Sequence, residues 1–220
     1  MGYTLNFAAV WRSFDLLLEG LALSLGLAFA GVLIGCAIGL VIAFSLTAKA
    51  QLWRRPARLY VTIIRNTPIL VLILFAYFAL PELGLALSKT NSFVLTLAIY
   101  SGAYLAEVFR AGLAAVPPGL REAGLAIGLR EGQIRLSVIL PLMLRNVLPS
   151  LGSTFISLFK DTSLAAAIAI PELTFEARKI NVETFRVVET WIVTCLLYVA
   201  TCAALAALIR YAERRLAIPR

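Results

Sequence analysis

Lys160 and Asp161 are neighbouring ionisable residues inside a run of apolar sequence. A charge in hydrocarbon is costly, so such residues in a membrane chain generally mark a substrate pathway, a gate or a pairing partner. Adjacent positions on a helix point about 100° apart, so these two side chains do not face each other. We therefore expect a substrate or gating role, and the alternative is an ion pair that orients two helices.

A second acid, Glu107, lies near the end of another apolar run. Arg110 follows three positions later, and side chains at that spacing are neighbours on a helix. The pattern predicts a local salt bridge between Glu107 and Arg110.

Enzyme motifs are missing from the sequence. It has no histidine, the commonest general base and a common metal ligand. None of the patterns G-x-x-x-x-G-K-[ST], G-x-S-x-G and H-E-x-x-H occurs. Cys36, Cys195 and Cys202 lie in apolar runs without the spacing of metal ligands. We expect no catalytic residue, no metal site and no ATP site in this chain.

The composition predicts the elements that position these residues. Apolar residues form 61% of the 220 positions and charged residues 15%, whereas soluble domains have about 45–50% and about 25%. About 20 apolar residues cross a hydrocarbon core of about 30 Å. Apolar blocks of this kind lie at about 16–46, 63–80, 93–113, 138–170 and 191–209. The sequence predicts an all-α polytopic membrane protein with about five transmembrane helices, forming a single transmembrane domain over 1–220.

Glycines repeat every four positions in the first block, at Gly31, Gly35 and Gly39. Small residues at this spacing let helices approach each other closely in lipid. We expect this face to pack against another span.

Two polar segments separate the blocks. The linker 47–65 is basic and favours a short interfacial helix near 54–60. In 119–135, apolar residues recur at helical spacing among charged ones, which is typical of an amphipathic helix outside the membrane core. Such a helix can dock onto a soluble partner, although an ordinary loop helix has the same composition.

Basic residues are distributed unevenly between the two ends of the blocks. Fourteen of the 20 are Lys49, Arg54, Arg55, Arg58, Arg65, Arg110, Arg121, Arg130, Arg135, Arg145, Arg210, Arg214, Arg215 and Arg220. Cytoplasmic loops carry the excess of Lys and Arg, so these define the cytoplasmic side. With an odd number of spans, the N-terminus lies outside and the C-terminus in the cytoplasm. The net charge of +8 therefore reflects topology, and we expect no nucleic-acid partner.

Four short motifs occur in order over about 60–175. They are Arg65-Asn66-Thr67-Pro68; Ser101-Gly102-Ala103-Tyr104-x-Ala106-Glu107-x-x-Arg110; Glu122-Ala123-Gly124 followed by Gly128 and Val138-x-Leu140-Pro141; and Lys160-Asp161-Thr162-Ser163-Leu164. In this order and spacing they resemble the permease subunits of binding-protein-dependent ABC importers for polar amino acids. Gly124 and Val138 depart from that pattern, which has Ala and Ile there.

The resemblance implies a type I ABC importer permease architecture with a cytoplasmic coupling helix within about 117–141. It implies a second permease subunit, identical or related, separate ABC ATPase subunits that bind ATP and Mg²⁺, and a periplasmic or lipid-anchored amino acid binding protein. The chain itself would need no cofactor, and would move a polar amino acid or a derivative across the bacterial inner membrane by alternating access. Its coupling residues would be Arg121, Glu122, Ala123, Gly124, Gly128 and Arg130.

In the coupling segment, two residues are predicted to shape the backbone and three to present charges. Gly128 lacks a Cβ atom and permits a tight turn after the helix. Pro141 can begin the fourth span, where a missing N–H costs nothing. Arg121, Glu122 and Arg130 would be charges on one short helix that enters a polar cleft.

The resemblance also implies a substrate pocket halfway through the membrane, between the third and fourth spans. Its candidate residues are Asp161, Thr162, Ser163, Tyr100, Ser101, Tyr104 and Thr154. The Asp161 carboxylate can pair with a substrate ammonium group through a charge-assisted bond. Tyr100 and Thr154 stand where relatives often carry amides or acids, so a strongly cationic substrate is less expected.

Three other classes of protein compete with the importer. A gated channel has no use for a coupling segment, an intramembrane enzyme would need a histidine or paired acids, and a membrane scaffold would not need Asp161 in a span. The sequence favours the importer over each of them.

Overall fold

The computed structural model describes residues 3–216, and every regular element in that range is helical. Arg220 of the basic tail lies outside the described residues. The helices are α1 (Ala8–Arg12), α2 (Phe14–Thr47), α3 (Gln51–Arg65), α4 (Ile69–Leu74), α5 (Lys89–Ala114), α6 (Pro118–Ala126), α7 (Glu131–Ile134), α8 (Leu140–Asp161), α9 (Leu173–Thr184) and α10 (Val187–Leu216). Two π-helical turns, Phe75–Ala79 and Arg135–Ile139, and two 3₁₀ turns, Pro81–Leu83 and Thr162–Ile168, join them.

Four helical runs are long and apolar enough to cross a bilayer. They are Phe14–Thr47, Lys89–Ala114, Glu131–Ile168 and Val187–Arg215. A fifth span forms if Gln51–Arg65 and Ile69–Ala79 are taken together, with a bend of 102° between them. The prediction of an all-α polytopic protein with about five spans is confirmed.

The bend between α3 and α4 falls on Asn66-Thr67-Pro68. Proline disfavours helical geometry in the residue before it, so α3 ends here. The Asn66 amide and the Thr67 hydroxyl donate to the carbonyls of Thr62 and Ile63 at 2.7 and 2.8 Å, which satisfies the helix end. The sequence predicted a short interfacial helix at 54–60 and an unbroken block from 63. The structure instead extends α3 to Arg65 and starts α4 at Ile69.

The glycine face of α2 packs directly against α5. A Cβ atom on Gly31 would lie 2.6 Å from Leu97 Cδ2, and one on Gly39 would lie 2.8 Å from Leu105 Cβ. At Gly35 it would collide with the Ser101 hydroxyl. The expected close approach of the first span to another span is confirmed.

The fourth span begins earlier than Pro141. Its helical run starts at Glu131, and a π-helical turn over Arg135–Ile139 immediately precedes α8. Pro141 has no N–H to donate to the backbone hydrogen bonds of the helix. The π turn just before α8 accommodates this irregularity within the helical run. The expectation that Pro141 opens the span is therefore wrong, although it is the second residue of α8.

The polar stretch 171–190, between the fourth and fifth apolar blocks, contains a helix, α9. Glu172 caps its start, because its carboxylate accepts the N–H groups of Thr174 and Phe175, both at 2.9 Å. The helix ends at Thr184, because the next residue, Phe185, has a left-handed φ of 55°. An apolar cluster that includes Leu17, Leu173, Ile180 and Val193 fixes α9 against α2 and α10.

Candidate functional site

Polar side chains of α5 and α8 line a shared cavity between the two helices. Tyr100 and Tyr104 lie one turn apart on α5, with ring centroids 4.8 Å apart, and the Tyr100 hydroxyl donates to the Tyr104 hydroxyl at 3.2 Å. On α8, Thr154 and Asp161 are seven residues apart and so share a face. Tyr104 and Thr154 both line a cavity of about 450 Å³ between the two helices.

Asp161 is half-buried at the end of α8, close enough to Tyr100 for its charge to act on that hydroxyl. Lys160, the adjacent residue, is exposed, and no ion pair joins the two within residues 3–216. The geometry agrees with the expected divergence of the two side chains.

Arg65 and Glu107 line the same cavity. The Arg65 guanidinium carbon lies 5.2 Å from the centroid of the Tyr104 ring, which is cation–π distance. Glu107 accepts from Arg110, with Nη2 and Nε at 2.6 and 2.8 Å. The predicted Glu107–Arg110 salt bridge is confirmed. Of the two acids, Glu107 and Asp161, Glu107 is therefore already paired.

Ser101 and Thr162 turn away from this cavity. Ser101 is fully buried and its hydroxyl donates to the Gly31 carbonyl at 3.1 Å. Thr162 is also fully buried and donates to the Phe159 carbonyl at 2.7 Å. Ser163 is half-buried. The structure therefore brings together Tyr100, Tyr104, Thr154 and Asp161, and uses Ser101 and Thr162 within its own packing.

Sequence reasoning missed two polar residues of the cavity, Asn146 and Ser150. With Thr154 they recur every four positions along α8, which places them on one helix face. This spacing was visible in the sequence, but none of the four family motifs includes Asn146 or Ser150.

The coupling segment is two helices, and the expected single helix over 119–135 is wrong. Helix α6 ends at Ala126, Gly128 has the left-handed φ of 82°, and α7 begins at Glu131. The predicted tight turn at Gly128 is confirmed. Arg130 lies beyond α6, as the N-terminal cap residue of α7, so it does not share a helix with Arg121 and Glu122.

An ion pair joins the two short helices. The Arg121 guanidinium donates to the Glu131 carboxylate, and this bond raises the pKa of Arg121. Glu122, Ala123 and Arg130 are exposed, whereas Gly124 is buried. A Cβ atom on Gly124 would lie 2.8 Å from Ile134 Cγ1, so glycine replaces the family's alanine where Ile134 packs closely.

The fold and this segment define a class of membrane transport subunit, and comparison with known proteins agrees. The chain belongs to the family described as binding-protein-dependent transport system inner membrane component, whose sequence model matches residues 31–218. It is the permease subunit of a polar amino acid ABC importer. The family membership favours the importer over a channel or a scaffold.

Two curated relatives align over nearly the whole chain. The glutamine transport system permease protein GlnP of Escherichia coli K12 is 37% identical over 215 residues, covering 97% of this chain and 98% of that protein. The probable amino-acid ABC transporter permease protein YckA of Bacillus subtilis 168 is 33% identical, covering 98% and 95%.

Solved structures confirm the architecture. A crystal structure of an amino acid ABC transporter with histidines superposes with a TM-score of 0.89 at 33% identity, covering 97% of this chain and 100% of that one. An inward-facing structure of the MetNI methionine ABC transporter gives 0.81 at 20% identity over 94% and 99%, which shows the shared fold alone. The type I importer architecture predicted from the sequence is confirmed.

Proposed function

We propose that the polar strip between α5 and α8 is the substrate path of this permease. The observation that supports it most directly is the cavity of about 450 Å³ lined by Tyr104 and Thr154. The Tyr100 hydroxyl donates to that of Tyr104, and Asp161 is close enough to Tyr100 for its charge to act there. Elsewhere these spans present mainly apolar side chains, and polar groups facing a cavity in a membrane protein generally mark a pathway. All of this belongs to the single transmembrane domain that we assign to 1–220.

The charges beside the cavity favour a zwitterion with an uncharged polar side chain. Glu107 is already paired with Arg110, so Asp161 remains as the acid for a substrate ammonium group. Arg65, stacked on Tyr104, can attract the substrate carboxylate. A cationic side chain would need a further acid. Because the E. coli relative is a glutamine permease, glutamine is the first substrate to test.

The roles of the remaining candidate residues follow from their hydrogen bonds. Thr154 lines the cavity, and its hydroxyl donates to the Ser150 carbonyl at 2.8 Å. The hydroxyl oxygen can still accept a hydrogen bond from a substrate. Ser101 joins α5 to α2 through its bond to Gly31, and Thr162 bonds to Phe159 at the end of α8. We therefore assign both residues to the support of the pocket rather than to substrate contact. Ser163 remains a candidate contact beside Asp161.

We assign the ATPase-docking role to α6 and the turn after it. Exposed Glu122 and Ala123 on α6, with Arg130 beyond Gly128, form a small polar projection from the spans. The ion pair between Arg121 and Glu131 links α6 to α7 at its base. Separate ATPase subunits would bind ATP and Mg²⁺ and transmit their closure through it, so this chain would need no cofactor.

The proposed assembly follows from the family. It comprises two permease chains, identical or related, two ABC ATPase subunits on the cytoplasmic side and an amino acid binding protein, periplasmic or lipid-anchored, on the outer side. The chain would be a multi-pass inner-membrane protein with its N-terminus outside and its C-terminus in the cytoplasm.

The test is ATP hydrolysis by the permease reconstituted with its ATPase and binding protein, over a panel of amino acids. Glutamine should stimulate hydrolysis, and Glu122→Ala should uncouple that stimulation. Asp161→Asn removes the charge while keeping the shape. It should raise the half-saturating substrate concentration about 10-fold or more, since a hydrogen bond to a charged group contributes about 1.5–3 kcal/mol.

Gly26→Ala is the matched control, because nothing lies within 4 Å of a Cβ atom at Gly26. It should behave like the wild type. An unchanged half-saturating concentration in Asp161→Asn would refute the pocket assignment. Failure of any ATPase to associate, with Glu122→Ala silent, would refute the coupling assignment.

A further inference from the structure

A second cavity, of about 600 Å³, lies between the end of α2 and the coupling segment. Its lining includes the link from α2 to α3, residues Thr47–Ala50. Arg121, Glu131 and Arg135 of the coupling segment complete its charged lining. No described residue lines both this cavity and the cavity of the proposed substrate path. It is therefore a separate feature of the chain.

The lining of this cavity carries three cations and one acid. The cations are Lys49, Arg121 and Arg135, and the acid is Glu131, to which Arg121 is hydrogen-bonded. Lys49 and Arg135 make no ion pair among the residues that the structure describes. Both are close enough for their charges to act on Glu131. The cavity has an excess of positive charge, so it fits an anionic group.

The position of the cavity selects its occupant. Arg121 is the immediate neighbour of Glu122, and Glu131 directly follows Arg130. Glu122 and Arg130 belong to the projection that we assign to ATPase docking, so a subunit docked there lies directly beside the cavity. All three cations are exposed, and a soluble partner can reach them. Docked protein surfaces generally carry complementary charge, which predicts acidic residues on the partner.

We propose that the cavity receives an acidic loop of the ATPase subunit, with a carboxylate bound between Lys49 and Arg135. The inference rests on the proposed docking role of α6, and it adds a second contact made by the link between α2 and α3. Ammonium and guanidinium groups both form strong, charge-assisted hydrogen bonds with a carboxylate. Because the link continues from α2, the ATPase would act on the first span as well as on α8.

Lys49 is the natural probe of this contact, because the other lysines of the chain are Lys89, Lys160 and Lys179. Under the proposed topology, Lys89 and Lys179 lie outside and Lys160 lies within a span. The experiment uses the full chain in nanodiscs of phosphatidylcholine, whose headgroup has no net charge, with the purified ATPase subunit. A water-soluble carbodiimide joins an amine to a carboxylate that contacts it. We expect mass spectrometry to find Lys49 joined to an aspartate or glutamate of the ATPase.

The dissociation constant of the ATPase subunit gives a second readout. Lys49→Gln/Arg135→Gln should raise it roughly fivefold or more and make it less sensitive to salt, since salt screens exposed charges. Lys49→Arg keeps the charge without a reactive amine, so it should keep most of the affinity and lose the cross-link. Arg55→Gln is the matched control, because Arg55 is exposed and does not line the cavity. It should behave like the parent chain.

Three outcomes would overturn this contact alone. The first is a Lys49 that stays unlinked or joins only Glu131, which would mean that the cavity takes no partner. The second is an equal loss of affinity in Arg55→Gln, which would show attraction to the whole basic surface. The third is unchanged affinity in the double variant while Glu122→Ala still weakens docking. If the parent chain binds no ATPase subunit, the docking assignment fails together with this inference.

Discussion

Glu172 is a fully buried carboxyl that joins three helices. It caps α9, and Ser24 of α2 and Tyr198 of α10 each donate a hydroxyl to Oε2 at 3.3 Å. Burial raises the pKa of Glu172 from 4.5 to about 7, and the donated hydrogen bonds only partly oppose that shift. The protein therefore binds a proton here that the unfolded chain has already released.

The stability contribution of this proton has a definite sign. Since the folded pKa lies above the unfolded one, the contribution is complete below pH 4.5 and is lost as the pH rises to about 7. A shift of this size corresponds to roughly 3 kcal/mol. The melting temperature of the purified permease should fall from pH 5 to pH 7.5. Glu172→Gln should flatten that dependence, and a curve as steep as that of the parent would contradict the assignment.

Helix packing depends on single methyl groups where α2 meets α5. Gly35→Ala would place a Cβ atom on the Ser101 hydroxyl, whose hydrogen bond to Gly31 fixes its position. Overpacking of this kind costs about 1–3 kcal/mol, so the melting temperature should fall measurably. Gly26→Ala lies on the same helix with open space around it and should leave the melting temperature nearly unchanged. Equal melting temperatures for the two variants would contradict the packing shown here.

The two short helices of the coupling segment are joined by a charge pair that can be exchanged. Both members are about half exposed, so solvent screens the pair and its contribution to stability is small. We expect the pair to affect the coupling between substrate binding and ATP hydrolysis. Arg121→Glu and Glu131→Arg should each reduce substrate-stimulated ATP hydrolysis, and the double exchange should restore most of it. If both single variants uncouple and the double does not recover, the two charges act separately on the ATPase.

The elements that the sequence predicted well are those with strong local signals. The glycine repeat, the Glu107–Arg110 spacing and Gly128 each describe one helix face or one turn. The break at Pro68 was missed although its causes are local, the proline itself and the side-chain caps of Asn66 and Thr67. The start of α9 was also missed, and its cap Glu172 is held by Ser24 and Tyr198, of which Ser24 lies far away in sequence. At the site, the motifs located the right span segments. They did not reveal that Ser101 and Thr162 point inward, since helix rotation is set by the neighbouring helices.

At the scale of the whole molecule, the N-terminal segment is tied to the start of the last span. Glu189 accepts from the Tyr3 hydroxyl and from the Asn6 N–H, the latter at 2.7 Å. Arg186 donates to the Thr4 carbonyl at 3.1 Å. Because α10 then crosses the membrane, the N-terminal segment and the basic tail at Arg214 lie on opposite sides. This arrangement agrees with the proposed topology.

Cysteine labelling of the assembled permease tests that topology. In a background with Cys36, Cys195 and Cys202 replaced by alanine, Thr4→Cys should react with an impermeant maleimide in spheroplasts. Gly119→Cys, in the coupling segment and with open space around it, should react only in inverted vesicles. The reverse pattern would put the basic face outside, against the expected excess of cytoplasmic arginine. It would also place the coupling segment beyond the reach of a cytoplasmic ATPase, so the proposed energy source depends on this result.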